Sequence, residues 1–300
     1  MILQPCHWQI TRFGLGIPET TKGWSGESVK DGIDDAKVRW SSYWQKQVVI
    51  MTASGNWAGI VDYATGACLY EWAATTNNAV TIQPHAIEML PNGDVVIATT
   101  GEDTADASAV KGQLHYMHME NGVYTETSTV SLHSAHGVLW DPTECVVWAV
   151  GYHCLYAYEV DSHYQLVRKE EKGLEFGHAG GHALTADYAN PDILWISVGA
   201  NVLQYSKSKN KLLTSYTNSD RLLTMQKVKG IASFADGTTA YVVGDGSGTL
   251  SSADFSYAGD GFSVINEKGQ VSKYTFRDMA TYKIYNFTTS YGGEVTGRLQ

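Results

Sequence analysis

Apolar residues in this chain come in short bursts, without the three-to-four-residue recurrence of an amphipathic helix. Runs rich in β-branched residues stand at 48–51, 95–98, 146–150, 193–198 and 240–243. Each is too short for a helix and lies near Gly, Asn, Asp or Ser, so each reads as a buried strand. A third strand pattern follows four of these runs, at 59–63, 113–117, 155–158 and 202–205, and a fourth is legible at 68–72 and 211–216. Pro91-Asn92-Gly93 and Ala235-Asp236-Gly237 supply tight turns just before two of the runs.

The strands that precede the five runs are related to one another. They are Asp-Ala-Lys-Val-Arg-Trp (35–40), Gln-Pro-His-Ala-Ile-Glu (83–88), Ser-Ala-His-Gly-Val-Leu (134–139), Gly-Gly-His-Ala-Leu-Thr (180–185) and Lys-Val-Lys-Gly-Ile-Ala (227–232). Their third residues are Lys37, His85, His136, His182 and Lys229, recurring roughly every 50 residues. Four short strands per repeat of this length describe a propeller blade, a sheet that buries its two faces only against neighbouring blades. The expected fold is all-β: a single five-bladed β-propeller domain over residues 1–300, with six blades as the alternative. The fifth repeat is irregular. A Gly/Ser-rich insertion at 244–254 separates its second strand from later strands expected near 262–276 and 281–289. Residues 8–14 are expected to form a strand closing the ring against the last blade.

Charge and composition narrow the function. The net charge is −10, which argues against a broad nucleic-acid-binding surface and confines any basic site to a local cluster. The N-terminus lacks a signal-peptide pattern, and no apolar stretch reaches membrane-spanning length. A cytoplasmic protein with no membrane insertion is therefore expected. The four cysteines, Cys6, Cys68, Cys145 and Cys154, show no CxxC spacing and are expected as buried free thiols.

A propeller lays the first strand of each blade along the central channel, so equivalent positions converge. Lys37, His85, His136, His182 and Lys229 are thus expected as one catalytic ring near one mouth. Loops at that mouth carry Trp24, Trp57, His133, Tyr152, His153, Phe176, His178, Asn201 and Arg221, together with an insertion at 101–111. Arg39, Trp57, His133, Tyr152, Phe176, His178 and Arg221 are the expected substrate-binding residues. The alternative is structural: repeats create matching polar positions merely to fasten blades. Two lysines in the ring weigh against it, because a buried lysine is costly without a partner.

Three chemistries fit such a ring. His85, His136 and His182 could ligate a divalent metal such as Mn or Zn, although the lysine charges oppose it. Neutral His could act as general base beside a cationic acid, with no cofactor. The ring could also simply bind an anion. The second is preferred, with a small-molecule partner that is acidic or hydroxylated and has an apolar part. Gly-Asp-Gly-Ser-Gly (244–248) is only loosely like a phosphate loop, and Glu102, Asp103 and Asp106 read as a solvated acidic loop.

Residues 84–98 (Pro-His-Ala-Ile-Glu-Met-Leu-Pro-Asn-Gly-Asp-Val-Val-Ile-Ala), 135–142 (Ala-His-Gly-Val-Leu-Trp-Asp-Pro) and 147–151 (Val-Trp-Ala-Val-Gly) carry a resemblance. Over residues 35 to about 245 the chain resembles an uncharacterised group of microbial propeller proteins. Similar small propellers look like the fungal hetero-Diels–Alderases of tropolone–sesquiterpene biosynthesis. That resemblance implies a lyase/cyclase-type activity: dehydration of a hydroxymethyl tropolone-type precursor to a quinone methide, trapped by a cyclic alkene. It supplies no catalytic fingerprint to transfer. The runner-up resemblance is to larger propellers that cleave oligogalacturonates at a His-rich metal site. It would make His85, His136 and His182 metal ligands and give a uronate carboxylate to Lys37 or Lys229. A non-catalytic glycan- or protein-binding propeller is the third class.

Overall fold

The computed structural model describes residues 33–53, 57–73, 83–101, 112–245, 258–276 and 281–285, with the backbone alone of 11–14 and 17–20. An N-terminal hairpin pairs β1 (Thr11–Gly14) with β2 (Ile17–Thr20) in a sheet of their own. Five four-stranded antiparallel sheets follow, each a meander of consecutive strands. Blade 1 holds β3 (Ile33–Ser41), β4 (Lys46–Ala53), β5 (Trp57–Asp62) and β6 (Cys68–Ala73). Blade 2 holds β7 (Pro84–Met89), β8 (Val95–Thr99), β9 (Gln113–Glu120) and β10 (Val123–Ser131). Blade 3 holds β11 (Gly137–Asp141), β12 (Val146–Val150), β13 (Cys154–Val160) and β14 (Leu166–Glu175). Blade 4 holds β15 (Leu184–Ala186), β16 (Ile193–Ser197), β17 (Val202–Ser206) and β18 (Lys211–Leu212). A four-residue helix, α1 (Ser219–Leu222), precedes blade 5, which holds β19 (Val228–Ser233), β20 (Thr239–Val243), β21 (Gly261–Ile265) and β22 (Val271–Thr275). The inner strands pack in chain order, β3 on β7, β7 on β11, β11 on β15 and β15 on β19. This is the expected five-bladed propeller.

The burial of each strand follows its place in the blade. The second strands β8, β12 and β16 are buried along their whole length. They are covered by neighbouring blades on both faces, which is why their sequences are near-continuous Val, Ile and Leu rather than alternating. The outermost strand β22 is exposed throughout, and its sequence, Val-Ser-Lys-Tyr-Thr, is correspondingly mixed. Between blades 3 and 4 an aromatic pair joins the aliphatic packing: Trp148 and Tyr205 are fully buried with ring centroids 5.3 Å apart. The two tight turns form where the sequence puts them. Gly93 and Gly237 adopt φ of +95° and +80°, a region in which a β-carbon is strained.

Several expectations need correction. Of the expected N-terminal strand, residues 8–10 lie outside the described residues, and β1 pairs with β2 and, among the described residues, not with the last blade. Blade 5 completes itself within the first of the two expected regions: residues 262–276 hold most of β21 and all of β22, paired from Gly261–Thr275 to Ile265–Val271. Residues 281–285, expected as part of a strand, make isolated bridges instead, at Thr281, paired with Gly259, and at Ile284. From there they run between β19 and β3. Ile284 packs with Ala232 and Val242 of blade 5, and Tyr285 packs with Ile33 and Val49 of blade 1. Gly230 makes room for this segment, because a β-carbon there would stand 2.7 Å from Ile284 N and 2.8 Å from Lys283 Cα. The ring is thus wedged shut between its first and last blades. Among the cysteines only Cys154 is buried; Cys68 and Cys145 are exposed, and Cys6 lies outside the described residues.

Candidate functional site

Local irregularities in the inner strands build the site. In β7, Pro84 pairs with Thr99 and Ala86 with Ala98, so His85 is an extra residue between them. In β19, Val228 pairs with Val243 and Gly230 with Val242, leaving Lys229 extra in the same way. Such a bulge kinks the strand and re-aims the unpaired side chain. His136 and His182 sit just ahead of β11 and β15, held by backbone bonds from His136 N to Val150 O (3.0 Å) and from His182 N to Ser197 O (2.8 Å). The outcome is a contiguous imidazole arc. The His85 and His136 ring centroids are 4.6 Å apart, and those of His136 and His182 are also 4.6 Å apart.

Blade 1 departs from the expected alignment. Its bulge falls between Ile33 and Asp35, so Asp34, not Lys37, is the register equivalent of His85 and Lys229. Lys37 matches Glu88 instead and lies one layer deeper. Its Nζ donates across the channel to Ile87 O (2.7 Å) and Val138 O (2.9 Å), beside Asp35 (3.1 Å) and Glu88 (3.7 Å). Arg39 is in that layer too, clamped on Glu88 through Nε (2.6 Å) and a second guanidinium N–H (2.8 Å). Its expected place in the substrate pocket is therefore corrected. The pocket that Lys37 and Arg39 line is about 30 Å³, a space of water size. This layer is a structural ion cluster that closes the channel below the arc.

Hydrogen bonding assigns the imidazole tautomers. His85 Nδ1–H donates to Gln83 O (3.3 Å), and His136 Nδ1–H donates to Ser134 O (2.9 Å). Each is left with a bare Nε2 lone pair. His182 Nε2 accepts from Lys229 Nζ at 2.8 Å, with the Tyr282 hydroxyl 3.4 Å away. The His182 proton then sits on Nδ1, which is buried and without a partner. A second ammonium closes on the arc from the wedge segment: Lys283, only 1% exposed, donates to His85 O at 3.0 Å. The repeat pattern gives no sign of Lys283, because it belongs to no blade.

Burial and crowded cations set the protonation states. Burial, then Lys283, pulls His85 down to about 3. Burial and the neighbouring imidazoles hold His136 and His182 well below the ordinary histidine range. All three are therefore neutral at pH 7. Burial, then Lys283, brings Lys229 down to about 8, and burial lowers Lys283 as well. Asp35 stays ionised despite burial, because Lys37 and Lys283 flank it.

Above the arc lies a cavity of about 320 Å³. Its wall includes His85, His136, His182, His133, Tyr152 and Gln83. His133 and Tyr152 lean together with centroids 5.2 Å apart, and Tyr152 is 41% exposed, forming an aromatic rim. Gly181 lets the rim loops approach, because a β-carbon there would collide with the Gly151 carbonyl. Other expected binding residues lie elsewhere. Trp57 is buried in the core of blade 1, and Phe176 in the core between blades 3 and 4. His178 is half-buried off the cavity wall, and Arg221 is exposed on α1. Asn201 donates to Leu223 O, and His153 stands behind Tyr152, 6.1 Å away. Trp24 and residues 102–111, with the acidic cluster, lie outside the described residues, as does most of the Gly/Ser insertion.

Among the described residues, no group of three or more His, Cys, Asp or Glu is arranged to hold a metal ion. Within the arc, His182 Nε2 already accepts from Lys229. No helix among the described residues is long and apolar enough to cross a membrane. No curated protein matches the chain. Residues 30–245 match the model of a family of unknown function, DUF6528. The match covers well over half of the 300 residues, and the chain belongs to that family.

Proposed function

We propose that the channel mouth is an enzyme active site for proton transfer on a small acidic or hydroxylated molecule. One observation carries the reading: three neutral imidazoles line a cavity of about 320 Å³, two of them with bare Nε2 atoms, and the Lys229 ammonium stands 2.8 Å from the third, His182. Lys229, brought to about 8, is a general acid matched to neutral pH, and the neutral imidazoles beside it are proton acceptors at that pH. The volume suits a single-ring compound, near the lower end for small-molecule sites.

The specific reaction proposed is dehydration followed by cycloaddition. His85 or His136 Nε2 takes the acidic ring proton of a hydroxymethyl tropolone or phenol. Lys229 protonates the departing hydroxyl, and water leaves. The quinone methide that forms is neutral, sheltered by the cavity wall, and reacts at the Tyr152 rim with an alkene. Incubation with a hydroxymethyl tropolone and a cyclic alkene, followed by product analysis, tests this. Combined His136→Gln and Lys229→Met substitution is expected to slow turnover by at least about 10²-fold. Unchanged turnover in the folded double variant would move the site elsewhere. Activity lost on chelation and restored by Mn or Zn would favour uronate cleavage instead.

A further inference from the structure

Lys229 is a nucleophile in waiting. Its amine is half-buried, and its one hydrogen-bond partner among the described residues is an imidazole nitrogen, His182 Nε2. The other buried cations of the channel are committed to oxygen. Lys37 is held by two carbonyls and Asp35, Arg39 is held by Glu88, and Lys283 is held by the His85 carbonyl. No carboxylate lies within ion-pairing distance of Lys229 among the described residues. The amine thus faces a neutral imidazole that lines the cavity, with a second ammonium nearby to disfavour its charged form. That combination activates amines for covalent catalysis.

We infer that Lys229 forms an imine with carbonyl-bearing ligands of this cavity, keto acids and aromatic aldehydes in particular. The inference rests on the cavity being a small-molecule site and gives Lys229 a covalent role when the ligand carries a carbonyl. The free amine adds to the carbonyl carbon, and the C=O π pair becomes the carbinolamine oxygen. His182 Nε2 takes the proton lost from nitrogen and returns it to that oxygen. Water then leaves as the C=N bond forms. The positive charge of Lys283 favours an anionic neighbour to the carbonyl, which selects keto acids over simple ketones. Bare Nε2 atoms on His85 and His136 stand ready to remove an α-proton from the resulting iminium.

The depressed basicity of Lys229 sets the expected selectivity. At pH 7.5 an amine with a pKa near 8 holds roughly 200-fold more free base than an ordinary lysine. Its lower intrinsic nucleophilicity returns about tenfold of that, by analogy with thiols. Net labelling on the order of tenfold faster than surface lysines is expected.

The experiment is reductive trapping on the full chain. The protein is incubated with pyruvate, phenylpyruvate or salicylaldehyde and cyanoborohydride, and adducts are mapped by peptide mass spectrometry. One dominant adduct on Lys229 is expected, lost in both Lys229→Met and the charge-preserving Lys229→Arg. No preferred adduct with any of the three probes, or undiminished total labelling of the folded Lys229→Arg variant, overturns the inference. Lactate and benzoate, which lack the carbonyl, separate the two claims. If they bind in a Lys229-dependent manner while trapping fails, the cavity reading stands and the imine does not. If neither binding nor trapping occurs, both fall.

Discussion

The Lys283 ammonium donates to the His85 carbonyl across 3.0 Å, joining residues 198 positions apart in the chain. This bond links the wedge segment to blade 2, past the intervening blade 1. It places a cation that no blade encodes against the imidazole arc. The site and the closure of the ring are therefore one structure.

Removing that cation should change both. In Lys283→Met the His85 and Lys229 pKa values are expected to rise, because Lys283 is the leading charge that lowers each. Histidine titration followed by NMR would read the first, and amine reactivity against pH the second. Unchanged values would mean that burial alone sets them. Truncation before Thr281 is expected to cost more than about 3 kcal/mol, since it opens the blade 5 to blade 1 contact and exposes Gly230 and Ala232. Urea unfolding measures it.

Acid should destabilise the fold through the arc. His85 titrates near 3 when folded, against an ordinary value of 6.5. Between those values the unfolded chain binds a proton that the folded chain does not, so stability falls as pH falls. The loss begins near pH 6.5 and is complete below about 3, with His136 and His182 acting in the same direction. Thermal melts from pH 7.5 to 4.5 should show this slope. His136→Gln should flatten it, and an equally steep slope in that variant would point to the carboxylates instead.

Anion binding should draw in protons. Lys229 is part neutral near pH 8, and a bound carboxylate would favour its charged form. Calorimetric titration with benzoate at pH 8 in two buffers of different ionisation enthalpy is expected to show net proton uptake. Lys229→Met should abolish it. Uptake that persists in that variant would assign the proton to another group.

The Lys207–Asp141 pair offers a test of blade fastening independent of the site. Lys207 of blade 4 reaches Asp141 of blade 3 at 2.6 Å, with the two side chains 3% and 0% exposed. Asp141 also accepts from Trp148 Nε1 at 3.1 Å. Lys207→Met strands a buried carboxylate and should cost about 3–5 kcal/mol in urea unfolding. Adding Asp141→Asn should recover part of it. A loss under about 1 kcal/mol would show that water reaches the pair.

Much of this protein is legible in its sequence. Short β-branched runs at near-constant spacing determine five blades, because a four-stranded sheet buried on both faces needs such runs and such spacing. The converging positions of His85, His136, His182 and Lys229 follow from the same repeat, since equivalent first-strand residues must meet on the axis. His133 and Tyr152 follow from the loop that each blade topology sends to that mouth.

Tertiary structure decided the rest. The bulge in β3 moved Lys37 one layer away from the arc and put Asp34 in its register position. A bulge adds one unpaired residue without altering composition or period, so the sequence pattern is blind to it. Arg39 went to Glu88 for the same reason. The wedge at 281–285 brought Lys283 and Tyr282 to the arc from outside any repeat, through contacts nearly 200 residues long-range in the case of Lys283. Trp57 and Phe176 went into blade cores because large apolar rings gain more from burial there than at a wet rim. Periodicity thus determined the ring, and packing across it decided which charges face the cavity.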